Sequence, residues 1–111
     1  MHAFDVLGDP VRRRILELLA ENECASGEVV EVISAEYGIT QSAVSQHLKV
    51  LRESGFATVR AEGARRIYAV DTRPLAEVDA WLERFRRFWE PALESLATEI
   101  ARGKRARKTR R

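Results

Sequence analysis

Spacing and turn chemistry predict a mainly α fold (α+β) with one small β-hairpin. Three observations carry this: short segments with apolar residues at helical intervals, a Gly38-Ile39-Thr40 link that leaves two helices almost no connecting chain, and two strand-like runs flanking Gly63. About five helices and a two-stranded hairpin account for residues 1–102. Between Ser26 and Val70 the order helix, turn, helix, hairpin is that of a winged helix-turn-helix.

The chain has 111 residues, the size of one ordinary domain. Its net charge of +2 is unevenly spread: residues 104–111 (KRARKTRR) carry six bases and no acid, so the preceding 103 residues stand at −4. Residues 1–37 hold three basic and eight acidic side chains, whereas residues 38–73 hold six basic and three acidic. Positive charge therefore gathers on the helix-turn-helix and hairpin. One cysteine, Cys24, excludes an intramolecular disulfide, and the opening MHAFDVLGDP lacks the basic and apolar regions of a secretory signal. No apolar run approaches the roughly 18 residues of a membrane span. The expectation is a cytoplasmic protein with no membrane partner.

Phe4 to Gly8 is read as a short first helix. Asp9-Pro10 then supplies an N-cap and a proline at the first helical position of a second helix, Pro10 to Glu21, whose Val11, Ile15, Leu18 and Leu19 form one apolar stripe. Arg12, Arg13 and Arg14 have two readings, a solvated face pairing locally with Asp9 and Glu17 or a phosphate clamp; the first is preferred. A third helix is expected to start at Ser26 as its cap, to bury Val29, Val32, Ile33 and Tyr37, and to close at Gly38, a residue suited to a left-handed C-terminal position. Thr40 is then the N-cap of a fourth helix beginning at Gln41.

On that fourth helix Val44, Leu48 and Leu51 share one side, flanked by Ala43, His47 and Val50. The opposite side holds Ser42, Ser45, Gln46, Lys49 and Glu53, with Gln41 and Arg52 at its margin. An ordinary exposed helix would be rich in Glu, yet no acid occurs from Gln41 to Arg52. Short hydroxyls and amides reach base edges in the major groove, Gln can bond adenine through two atoms, and Lys and Arg reach guanine or phosphate. These residues mark a face for double-stranded DNA.

Gly55 ends this helix, and strands are expected around Thr58 to Ala61 and Arg66 to Val70, with a tip at Glu62-Gly63-Ala64-Arg65. Val59, Ile67 and Tyr68 should pack inward while Arg60, Arg65 and Arg66 project. Arg65 at the tip would enter a minor groove or sit on phosphate.

In the last segment Leu75, Val78, Leu82, Phe85, Trp89, Ala92, Leu96 and Ile100 step by three or four, and Trp81 and Phe88 widen the stripe. So broad an apolar surface calls for a second copy of the chain, with Phe4, Leu7, Leu82, Phe85, Trp89, Leu93, Leu96 and Ile100 as the dimer seam. Trp81, Phe85 and Phe88 alternatively line an inducer pocket. Pro91 is expected to kink or restart the helix at Glu90, giving a helix over about Pro74 to Trp89 and its continuation from Pro91 to about Arg102. Residues 103–111 form a basic tail, read as disordered, that either adds phosphate contacts or is merely solvated.

DPVRRRILELL, ITQSAVSQHLKVLRESGF and EGARRIYAV together resemble the ArsR (ArsR/SmtB) family of bacterial winged-helix repressors, over roughly residues 4–100. The resemblance implies a homodimer that binds an inverted-repeat operator, blocks transcription, and is released by an inducer, often a metal ion. It places base contacts on Gln41, Ser42, Ser45, Gln46 and His47 and the wing contact on Arg65 or Arg66. The metal-sensing patterns are not met. The cysteine pair that the resemblance would put beside Cys24 is replaced by Ala25 and Ser26, and residues 72–103 contain no histidine. His2 and His47 are the only two, so neither metal nor cofactor is expected, and the inducer is left unassigned. Cys24 is read as a small apolar filler, with a redox switch as the alternative. Scattered histidines, one cysteine and the lack of a Gly-rich phosphate loop argue against an enzyme. An activator, an architectural DNA binder or a protein-interaction winged helix are the competing functions.

Overall fold

A computed structural model describes the backbone of residues 2–109 and the side chains of residues 2–103. The basic stretch from residue 104 onward thus lies outside the described side chains. Among the described residues the elements are α1 (Ala3–Leu7), α2 (Pro10–Glu21), β1 (Cys24–Ala25), α3 (Ser26–Tyr37), α4 (Gln41–Glu53), β2 (Ala57–Glu62), β3 (Arg65–Val70) and α5 (Arg73–Thr109). They divide into two compact units, Met1–Val78 and Asp79–Arg111.

The first unit is built around Val6, Ile15, Val29, Ile33, Val44, Leu51 and Phe56, all essentially solvent-free. Each helix contributes a side chain at the spacing that helical periodicity demands, and Leu16 joins the α2 contribution. Phe56 links two layers: its N–H donates to the Leu51 carbonyl at the end of α4, and its carbonyl accepts from Asp71 just beyond β3. Asp9 caps α2 by accepting from Val11 and Arg12.

The hairpin is joined by a third strand that sequence reasoning missed. β1 pairs antiparallel with β3, Cys24 opposite Tyr68 and Ala25 opposite Ile67, giving the sheet order β1-β3-β2. Two residues of strand carry no periodicity, so nothing local announces them. Because Cys24 and Ala25 extend along β3, helix α3 is entered from a strand: its N-cap is Ala25, without a side-chain cap, and Ser26 is already helical. Tyr37 is 40% exposed where burial was expected. Eight residues beyond Val29 the helical phase has drifted by about 80° off the buried line.

In the second unit α5 continues through Pro91 as one helix, so of the expected kink or restart the restart does not occur. One missing N–H costs one intrahelical bond, and the neighbouring Arg, Glu, Ala and Leu residues are strong helix formers. Arg86 ties this stretch together through Asp79, Glu83 and Glu90. Trp81 and Phe85 rings meet at 4.8 Å, and the Arg87 guanidinium lies 4.8 Å from the Phe88 ring centre.

Candidate nucleic-acid interface

The turn that aims α4 is set by two residues. Gly38 ends α3 in the left-handed region at φ 64°, which an L side chain rarely adopts, and its N–H donates to the Ser34 carbonyl. Thr40 Oγ1 then accepts from the Ala43 N–H at 3.1 Å. With Ile39 alone between them, α3 and α4 cross over a shared core instead of running side by side.

α4 presents the two faces expected of it. Val44, Leu48 and Leu51 are buried, Ala43, His47, Val50 and Arg52 are half-buried, and Gln41, Ser42, Ser45, Gln46 and Lys49 are exposed. From Gln41 to Lys49 the exposed group is uncharged apart from Lys49, and Glu53 in the last turn is the one acid on that side. His47 departs from it: half-buried, it lies close enough to act on Asp9. Burial opposes ionisation of Asp9, but the hydrogen bonds from the Arg12 and Val11 amides, with smaller electrostatic contributions from His47 and Arg12, outweigh it and hold that carboxyl below its ordinary value.

The wing is a two-residue hairpin at Gly63-Ala64, with Glu62 opposite Arg65 and Ala61 opposite Arg66. Gly63 has φ 62°, as such a tight connection requires. Ile67 and Tyr68 are buried and Val59 half-buried. The three projecting arginines are not equivalent. Arg60 is pinned by Glu23 at 2.6 Å and Glu62 at 3.2 Å, contacts that raise its already high pKa, chiefly through the Glu23 hydrogen bond. Arg65 is held by Glu28 at 2.8 Å. Among the described residues no ion pair engages Arg66, Lys49 or Arg52.

The Arg12-Arg13-Arg14 run is structural. Arg12 donates to the Val6 and Asp5 carbonyls and Arg13 to that of Leu7, closing the C-terminal end of α1. Arg14 makes a two-pronged pair with Glu36 at 2.9 Å, bridging α2 and α3. The acids that pair with the wing arginines, Glu23 before β1 and Glu28 on α3, were not foreseen as site residues. Each lies 37 residues from its partner, so no local pattern reveals it.

Cys24 is buried, and its thiol donates to the Asn22 carbonyl at 3.3 Å. Burial, with smaller contributions from Glu28 and Glu21, pushes its pKa up. A metal site of the kind common in the resembling family does not fit: one buried thiol stands where a pair would be needed. Among the described residues, no three His, Cys, Asp or Glu side chains are grouped to hold an ion. No described helix is long and apolar enough to cross a membrane.

Residues 9–59 match the family model for bacterial regulatory proteins of the arsR family. An HTH-type transcriptional regulator of Mycobacterium tuberculosis, Rv2034, is 38% identical over 98 residues, 88% of this chain and 85% of its own. The transcriptional repressor SdpR of Bacillus subtilis is 26% identical over 76% of this chain and 89% of its own. The solution structure of a homodimeric winged helix-turn-helix DNA-binding domain from Mycobacterium bovis aligns at a TM-score of 0.53 with 28% identity, covering 77% of this chain and 75% of that one. Fold and relatives agree: the chain belongs to the arsR family of bacterial regulatory proteins and is a DNA-binding transcriptional regulator.

Proposed function

We propose that this regulator is a homodimeric repressor, not an enzyme, that occupies an inverted-repeat operator in the cytoplasm and does not take a metal ion as its inducer. The observation that carries the reading is the exposed face of α4, free of acid from Gln41 to Arg52, where Gln41, Ser42, Ser45 and Gln46 stand clear of the core beside Lys49. In the major groove the two glutamines bond base edges and the serines bond bases or phosphates, while His47 and Arg52 reach the margin of the contact. Arg66 brings the wing to the flanking backbone, and Arg60 and Arg65, held by Glu23 and Glu28, join it only where DNA displaces those acids.

Dimerisation supports the reading through area. Leu93, Leu96 and Ile100 are each more than half exposed, and Phe85 and Trp89 are exposed on the same helix. With Phe4, Leu7 and Leu82 they form the seam of a twofold pair. Such symmetry sets two α4 helices about 34 Å apart, one turn of B-form DNA, so the operator is an imperfect palindrome. A dimer lying across a promoter excludes polymerase without any further chemistry, and the similarity to SdpR favours repression over activation.

Footprinting on the region upstream of its own gene tests the proposal. Symmetric protection of two half-sites, retained in the presence of zinc, cadmium or arsenite, is the expected result. Protection of an isolated half-site by a stable monomer, or release by any of the three ions at micromolar concentration, would refute the corresponding part. Gln46→Ala should reduce discrimination between operator and random duplex by about 1–3 kcal/mol for each base that the glutamine reads.

A further inference from the structure

Between α4 and the wing lies a cleft of about 260 Å³. Its walls carry Lys49, Arg52 and Arg66, two hydroxyls from Ser26 and Ser45, and the ring of Tyr68. Helical and strand periodicity bring these groups together. Ser45, Lys49 and Arg52 stand at i, i+4 and i+7 on α4, one continuous stripe, and Arg66 and Tyr68 alternate onto one face of β3. Ser26 enters because β1 runs along β3 and delivers the first residue of α3 to the same place.

The electrostatics separate this cleft from the rest of the wing. Arg60 and Arg65 are matched by Glu23 and Glu28, whereas among the described residues no ion pair engages the three cations of the cleft. Like charges gathered around one small space repel, and the repulsion is relieved by an anion that all of them face. Guanidinium groups present flat, paired donors suited to the oxygens of a phosphate, and an ammonium with two hydroxyls completes such a site.

We propose that the cleft is a seat for a single phosphate group shared by Lys49, Arg52 and Arg66, with Ser26 and Ser45 donating to the same oxygens. Resting on the DNA-binding reading above, the occupant is one phosphodiester of the operator backbone. The cleft borders the α4 face that carries Ser42 and Gln46, so a seated phosphate fixes the register in which those side chains meet the bases. Free orthophosphate, having the same tetrahedral oxygens, enters the same seat more weakly.

Sharing gives a measurable signature. The slope of log affinity against log salt counts phosphates neutralised, about 0.9 for each on B-form DNA, and not cations supplied. Affinity for a duplex carrying the operator is measured over a salt series for the full chain and for Lys49→Gln/Arg52→Gln/Arg66→Gln. A slope reduced by about 0.9 in the triple variant is expected; a reduction of about 2.7, three separate phosphates, or no reduction, overturns the shared seat while leaving DNA binding intact. If the triple variant does not fold, Lys49→Gln/Arg66→Gln, both at exposed positions, replaces it, with a decrease of no more than about 0.9 against about 1.8 for separate phosphates.

Failure of the natural chain to bind any duplex at low salt would sink the DNA reading instead. Amide NMR shifts on adding orthophosphate, against chloride at equal ionic strength, then decide the seat. Saturable shifts at Ser26, Ser45 and Arg66 that vanish in the variant sustain it, and their absence overturns it.

Discussion

Arg65 at the wing tip and Glu28 in the first turn of α3 are joined by an ion pair of 2.8 Å, with both side chains more than half exposed. A wing arginine expected to meet DNA is thereby neutralised from within the same molecule. An exposed pair of this kind contributes little to stability, at most about 1 kcal/mol, so its effect is on charge and not on folding. A phosphate approaching the tip must first displace Glu28.

Removing that acid should therefore strengthen binding. Glu28→Gln is expected to raise duplex affinity severalfold at low salt and to steepen the salt slope by up to about 0.9 as Arg65 gains a phosphate. Arg65→Gln alone should leave the slope nearly unchanged. Fluorescence anisotropy over a salt series reads both. An Arg65→Gln variant with a strongly flattened slope would mean that the pair opens without resistance.

The apolar stripe of α5 yields a second outcome. Leu96 and Ile100 are 53% and 52% exposed, and a fully buried aliphatic side chain contributes about 1.5–3 kcal/mol. Twofold symmetry doubles each contribution, so Leu96→Asp/Ile100→Asp should weaken dimerisation by at least roughly two orders of magnitude and convert the protein to monomer in sedimentation runs. Operator affinity should fall with it, while the thermal unfolding of the first unit stays in place because neither residue belongs to its core. A variant that remains dimeric at micromolar concentration removes this stripe as the seam.

Asp9 offers a test of the scaffold that carries α4. It caps α2 through the Val11 and Arg12 amides, and Asp9→Ala should cost about 1 kcal/mol, or roughly 4–8 °C in Tm. The pH dependence follows from the sign of its shift. The folded carboxyl titrates below its ordinary 3.8, so its charge-linked stability is complete above that value and is lost as pH falls through the lower folded one. Asp9→Asn, which keeps a capping oxygen, should differ from the natural chain near neutral pH and converge on it in acid. Urea unfolding at pH 7 and below pH 3 makes the comparison; a gap between the two that widens in acid contradicts the assignment.

How much of this was readable in the sequence depends on the range of the interaction responsible. The two faces of α4, the Thr40 cap and the Gly38 exit all follow from spacing within a dozen residues, and each appears as read. What was misread depends on distant partners or on short elements. Ser26 looked like a cap because the pairing of Cys24 and Ala25 with β3 is set more than 40 residues away. Arg65 looked free because Glu28 reaches it only after the sheet has formed. A restart at Pro91 looked required because its missing bond is local and visible, whereas the strong helix formers on both sides act collectively.

Cys24 is where chemistry and packing point the same way. Buried between β3 and the core, with its thiol donating to Asn22 and its pKa raised by burial first and by Glu28 and Glu21 next, it forms less thiolate near neutrality than a free cysteine. Iodoacetamide should label it at least about tenfold more slowly than an unstructured thiol peptide at pH 8, and full reactivity should return only on unfolding. Cys24→Ser retains a donor to the Asn22 carbonyl at nearly the same size, so its operator affinity should match that of the natural chain before and after peroxide treatment. If peroxide releases the natural protein from DNA but not Cys24→Ser, the thiol is a sensor, and opening of the strand that buries it becomes the regulatory step.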